Sequence, residues 1–129
     1  MTTLKIGETE IRLRLNSRAF MHLMEEFGDW QSMMDGLTKE ENFGKRIGNI
    51  VTVTAVLAEG AKEEEVTKDW LGENTEPGDA NTMLIAIMAE AARAMHMETE
   101  EKENRAKDRD LVLEEIERKK GEEASAGES

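Results

Sequence analysis

The spacing of apolar side chains changes period early in this chain. In Ile11-Arg12-Leu13-Arg14-Leu15 apolar and basic residues alternate, which is the period of a half-buried strand. Leu4 and Ile6 alternate in the same way, and Gly7-Glu8 lies between the two runs. A glycine opening a two-residue loop supplies the positive φ of a type II′ turn. That loop pairs Ile6 with Thr9 and Leu4 with Ile11, so the apolar positions share a face. A β-hairpin is predicted. Two strands alone are marginal in water, so this face must cover something else.

From Asn16 onward the period is helical. Asn16 or Ser17 caps the start, and Phe20, Leu23, Met24 and Phe27 follow at i, i+3, i+4 and i+7. Gly28 stops that helix, and Asp29 caps a short second one carrying Trp30, Met33, Met34 and Leu37. Thr38 with Glu41 has the form of a capping box and is expected to start a third helix. Its buried stripe is Phe43, Ile47, Ile50, Val51, Thr54, Leu57 and Ala58, ending near Gly60. Residues 50–56 also carry the β-branched alternation of a strand, but the longer 3.6 period from Phe43 favours helix. A short helix over residues 62–71 places Val66 and Trp70 one turn apart, with Gly72 closing it. Residues 73–78, with the only proline at Pro77, read as an exposed loop. Asp79 then caps a long helix whose stripe is Met83, Leu84, Ile87, Met88, Ala91 and Met95. The expected fold class is α+β, mainly α: an N-terminal hairpin and about five helices in one domain over residues 1–97.

The character shifts after residue 97. Residues 98–129 hold twelve acids and seven bases, and their only sizeable apolar groups are Leu111, Val112, Leu113 and Ile116. Burial on that scale does not offset the entropy of ordering the stretch. Pairs such as Glu101 with Arg105 add only about 0.2–0.5 kcal/mol each. The extension is expected to be partly disordered: a frayed helix that firms up against a partner, then disorder after Gly121.

Charge and composition narrow the function. Twenty-nine acids against seventeen bases leave a net charge of −12. A phosphate backbone is repelled by such a surface, which argues against ordinary nucleic-acid binding. No apolar run approaches the ~18 residues of a membrane span, and no charged-then-apolar leader opens the sequence. No membrane partner is expected. Without cysteine there is no disulfide framework, zinc–thiolate site or thiol nucleophile.

His22 and Glu26 have the i, i+4 spacing of metal ligands, but no third ligand accompanies them, and His96 with Glu98 and Glu100 is no better. Glu25-Glu26 and Glu63-Glu64-Glu65 fall where helix N-termini or solvent faces are expected, as surface charge. Gly44 and Gly48 form a GxxxG that reads as loop or helix-start chemistry in this charged context. No Ser/His/Asp order, phosphate loop or metalloprotease helix occurs. No enzyme, cofactor or metal site is expected.

The methionines say more. Nine occur in the chain, and Met21, Met24, Met33, Met34, Met83, Met88, Met95 and Met97 fall in the predicted helices. They are either flexible core filler or an adaptable groove for apolar partner segments. Met21 and Met97 lie off the main stripes. Phe20, Met24, Met33, Met34, Met88 and Met95 are the candidate partner-binding residues, with core and groove roles both open.

The order of elements resembles the tail assembly chaperones of long-tailed (siphovirus-type) bacteriophages and prophages. There an L-x-I-G/N-G-x-E-x-x-L-R-L hairpin leads into an x-R-A-L/F-x-x-L-E-x-x-F/L-G helix. Leu4, Ile6, Gly7, Ile11, Leu13, Leu15, Arg18, Ala19, Phe20, Leu23, Glu25, Phe27 and Gly28 occupy the matching positions; the second turn glycine is replaced by Glu8. The likeness covers about residues 3 to 95.

It implies a non-catalytic protein of the host bacterial cytoplasm, absent from the finished virion. Such a protein binds the long, aggregation-prone tape-measure protein and helps recruit tail-tube subunits. Members are often made in two forms by a programmed frameshift, and Lys119-Lys120-Gly121 is a stretch that an A-rich slippery run can encode. A frameshifted longer form and a homo-oligomer are further candidate partners. Two rival readings stand beside this one. The first is an acidic nucleic-acid mimic or inhibitor in a basic groove of a host protein, against which the interleaving of bases with acids speaks. The second is a structural phage tail or connector subunit, a class generally richer in strand.

Overall fold

In the computed structural model, which describes residues 1–96, the alternating N-terminal segment forms the expected hairpin. Strand β1 (Thr2–Ile6) pairs antiparallel with β2 (Thr9–Leu13), with Leu4 opposite Ile11 and Ile6 opposite Thr9. Gly7 adopts φ +61°, the positive value this turn asks of its first residue. Leu4, Ile6, Ile11 and Leu13 are buried, as is Leu15 just beyond β2.

The outer edge of β2 is covered. The Arg12 backbone N–H and its guanidinium Nε both donate to Glu63 Oε2 at 3.0 Å, and the Arg14 N–H donates to the Leu57 carbonyl at 2.9 Å. Unpaired donors on such an edge are what let another chain add to a sheet. The two bonds from Arg12 hold the Glu63 carboxyl below its ordinary pKa.

Helix α1 (Ser17–Phe27) is capped by Asn16, whose Oδ1 accepts from the Ala19 N–H at 2.9 Å; it ends where the Gly28 N–H donates to the Met24 carbonyl. Helix α2 (Trp30–Thr38) is capped by Asp29, whose Oδ1 accepts from the Ser32 N–H at 2.7 Å. Hydrogen bonding to Ser32 keeps the Asp29 carboxyl below its usual pKa. Helix α3 (Phe43–Gly60) is central. Its second half buries Ile50, Val51, Val53, Thr54, Val56, Leu57 and Ala58, and the Thr54 hydroxyl donates to the Ile50 carbonyl at 2.8 Å. Helices α1 and α2, α4 (Lys68–Asn74), α5 (Ala80–Met95) and strand β2 all pack on α3, while α5 also packs on the hairpin.

Three sequence expectations are corrected. Thr38 does not open α3: it is the last residue of α2, its hydroxyl donates to the Met34 carbonyl, and Asn42 caps α3 by accepting from the Lys45 N–H. Phe43 is therefore the first helical residue and is 56 % exposed instead of buried. Residues 62–66 are turn and not helix. Lys62 sits at φ +68°, Glu63 is committed to Arg12, and α4 starts after Thr67, whose hydroxyl accepts from the Trp70 N–H. Gly72 consequently lies inside α4. Finally, Asp79 belongs to a 3₁₀ turn, Pro77–Asp79, in which its Oδ2 accepts from the Glu76 N–H at 2.8 Å, and α5 follows directly.

Residues Met1–Met95 form one compact unit. The end of α3 packs closely against the hairpin exit. A Cβ on Gly60 would fall 2.3 Å from the Arg14 carbonyl oxygen, so only glycine fits. Asn16 Nδ2 donates to the Gly60 carbonyl at 3.3 Å, and the exit thereby gives a partner to a terminal carbonyl of the helix. The expectations for Met97 and for the extension from residue 98 lie outside the described residues.

Candidate functional site

The interior is aliphatic. Leu, Ile, Val, Ala and two methionines fill it, and all five aromatic side chains of the chain lie outside it. Phe20, Phe27, Trp30 and Trp70 are half-buried, and Phe43 is exposed. The four half-buried rings pack against this core with part of each face, and only the remaining part is within reach of a partner.

Two of these aromatics meet at one place. On α1, Ala19 and Leu23 point into the core, which leaves Phe20, Met24 and Phe27 along one flank at helical spacing. On α2, Met33 and Leu37 point inward and leave Trp30 and Met34 on the adjoining flank. The turn at Gly28-Asp29 brings the flanks together, and Phe20 stacks on Trp30 with ring centroids 5.8 Å apart and planes inclined by 20°. Stacking is worth about 0.5–1.5 kcal/mol beyond area burial and holds both rings in place before any partner arrives. Met21, 60 % exposed, lines the cleft edged by Arg18 and Glu25 instead, and the α1 side of the seam, Phe20 and Met24, carries no charge. The result is an apolar seam with fixed aromatic plates and flexible thioethers.

The six candidate residues separate into three groups. Phe20, Met24 and Met34 belong to the seam. Met33, at 1 % exposure, is core and meets no partner in this conformation. Met88 and Met95 are half-buried on α5, which packs on α3 and the hairpin, whereas α1 and α2 pack on α3 and on each other. Trp30 was read only as a stripe position, yet it completes the seam, whereas Phe27 lies toward Gly36 and Asn49. The position of Trp30 one step to the side of Met33 on the helical wheel was the available signal.

One polar constellation escaped the sequence reading. Glu90 on α5 is fully buried. Its Oε1 accepts from the Thr2 hydroxyl and Arg93 Nε, both at 2.9 Å, and its Oε2 accepts from the Leu15 N–H at 2.8 Å and from Arg93 Nη2. Burial pushes the carboxyl pKa up, but hydrogen bonds from Arg93, Leu15 and Thr2 and the charge of Arg93 outweigh it, and the net direction is down. This carboxylate fastens the last turns of α5 to both ends of the hairpin. It is a structural lock, satisfied on every side. An acid inside the stripe Met83, Ile87, Ala91 was its sequence signature.

His22 approaches Glu26 Oε2 at 3.8 Å and Glu59 Oε1 at 3.9 Å on an exposed face, and no group of three or more potential ligands among the described residues could hold a metal ion. A cleft of about 970 Å³ beside this histidine runs between α1 and α3, edged by Arg18, Lys62 and Lys68 together with Glu25, Glu26 and Glu59. Its rim mixes both signs. No helix among the described residues is long and apolar enough to cross a membrane.

No protein-family model matches the chain, and comparison with curated proteins and with solved structures likewise returns no match.

Proposed function

We propose that this protein is a non-catalytic assembly chaperone of the phage-tail type. It shields an aggregation-prone helical client, the tape-measure protein, on the α1–α2 seam and keeps it dispersed until tail-tube subunits assemble around it. The observation that carries this reading is the Phe20–Trp30 stack, two half-buried rings with Met24 and Met34 beside them on the α1–α2 flank of a chain of net charge −12. Aromatics held at a surface by packing lose little freedom on binding, and methionines adapt to varied apolar partners. Surplus negative charge keeps such a surface from sticking to copies of itself at random. The hairpin-to-helix motif of the N-terminus supports the same reading.

The test is co-expression with fragments of a tape-measure protein that are insoluble alone. Wild type is expected to hold at least one fragment in solution, and the double variant Phe20→Glu/Met24→Glu to lose that ability while staying folded. The complex should persist in high salt, because apolar burial and not charge holds it; a salt-labile complex points instead to the acidic-mimic reading. Failure to rescue any fragment across the client overturns the proposal.

A further inference from the structure

The two edges of the hairpin differ. In the β1–β2 register Thr3 lies opposite Arg12 and Lys5 opposite Glu10. The Arg12 N–H leaves the ladder to meet Glu63, so Thr3 and Arg12 form a pair whose main-chain groups turn outward. Lys5 and Glu10, two residues along, form another. On β2 the outward donors of Arg12 and Arg14 are taken up by Glu63 and the Leu57 carbonyl. On β1 the outward N–H and carbonyl groups of Thr3 and Lys5 have no partner among the described residues. Both residues are exposed, while Leu4 and Ile6 anchor the strand in the core. β1 holds no proline and its register with β2 is unbroken, so nothing in the strand itself bars a further neighbour.

We propose that the outer edge of β1 takes an extended segment of a foreign protein as a third strand, and that this segment alternates apolar residues with acids. Main-chain donors and acceptors at strand spacing are complementary to the backbone of another strand, which fixes the conformation of the occupant. The pleat fixes its alternation. Every second side chain continues the inward row of Leu4 and Ile6, and the others stand in solvent beside Thr3 and Lys5. Charge then selects the acid. Lys5 is the only charged residue of β1 and makes no ion pair among the described residues, although Glu10 lies opposite it. An acid beside it across the new pair is favourable and a base is not. A second copy fits less well: outward-turned residues pair with outward-turned residues, so its β1 sets only Thr3 or another Lys5 beside Lys5. The net negative charge of the rest of the chain is screened beyond about 8 Å at physiological salt, and the contact with Lys5 lies inside that distance. An added strand of this length is about 17 Å long, so the contact is reversible. The edge is separate from the α1–α2 seam and stands whether or not that seam takes a client.

The probe is a synthetic peptide of about seven residues alternating valine with glutamate, titrated at physiological salt into the isotopically labelled full chain. A valine–lysine peptide is the control. The glutamate peptide is expected to shift the Thr3 and Lys5 amide resonances and protect them from exchange, leaving those of Arg12 and Arg14 unchanged. The lysine peptide should act on the same two amides about tenfold more weakly. Lys5→Glu should reverse the preference between the peptides. Thr3→Pro removes an outward N–H that the β1–β2 ladder does not use, so it should abolish binding with the far-UV circular dichroism unchanged. If that proline disturbs the hairpin, the reversal by Lys5→Glu decides alone. The proposal is overturned when neither peptide protects Thr3 and Lys5 at millimolar concentration, or when the lysine peptide protects them as well as the glutamate peptide. It is also overturned when the two amides become protected in the chain alone as its concentration rises, which puts a copy on the edge.

Discussion

Removing the buried carboxylate of Glu90 should cost this protein a large part of its stability. Glu90→Ala strands the Leu15 N–H, a buried backbone donor whose loss of acceptor costs about 1–3 kcal/mol. Arg93 loses its bonds to Glu90 too, but its side chain is 46 % exposed and regains water, as does the Thr2 hydroxyl, which is only part-buried. The total therefore stays below the upper end of the ~3–5 kcal/mol seen when a fully buried ion pair is broken, at about 3 kcal/mol. For a domain of this size that lowers the melting temperature by roughly 12–24 °C.

Glu90→Gln keeps one acceptor for Leu15 and should lose less, about 1–2 kcal/mol. The pH dependence has a definite sign. The folded carboxyl pKa lies below the ordinary 4.5, so the unfolded chain binds the proton more tightly. The stabilisation is complete above the ordinary value and is lost as pH falls through the folded one. Urea melts followed by far-UV circular dichroism at neutral pH and at successively lower pH measure both effects. A loss under about 1 kcal/mol for Glu90→Ala, within the range of ordinary surface substitutions, would refute the lock.

Gly60→Ala should destabilise by about 1–3 kcal/mol, since its methyl group meets the Arg14 carbonyl and forces the hairpin exit away from α3; a shifted denaturation midpoint reads it. Asn16→Ala removes both the α1 cap and the bond to the Gly60 carbonyl and should cost about 1–2 kcal/mol in the same melts. Trp30→Ala should break the stack with Phe20 and weaken client retention in the co-expression assay, with a modest loss of stability because Trp30 is only half-buried.

Where one local rule was unopposed, the sequence was a sufficient guide. Gly7-Glu8 between alternating strands set the hairpin register, and Asn16 and Asp29 capped α1 and α2 as expected, because each decision is made within three or four residues. The errors occur where two local options compete or a distant partner intervenes. Thr38 and Asn42 can both cap a helix, and Asn42 won because α2 continues through Thr38. The acidic run from Glu63 favours helix by propensity, but Arg12, 51 residues earlier, holds Glu63 in a turn. The candidate site was half legible. The methionine spacing named both faces of α1 and α2, yet only burial separates Met33 from Met34, which are neighbours in the chain and differ in facing the core or the flank.

The aliphatic interior also decides how this molecule can be watched. Both indoles, Trp30 and Trp70, are half-buried, and the chain has no tyrosine. Ultraviolet emission therefore reports on the boundary between core and surface: it should respond when something settles beside Trp30, and also when the leucines and valines that the indoles pack against loosen. Spectroscopically, this is a protein with lamps on its outer walls and a dark room at its centre.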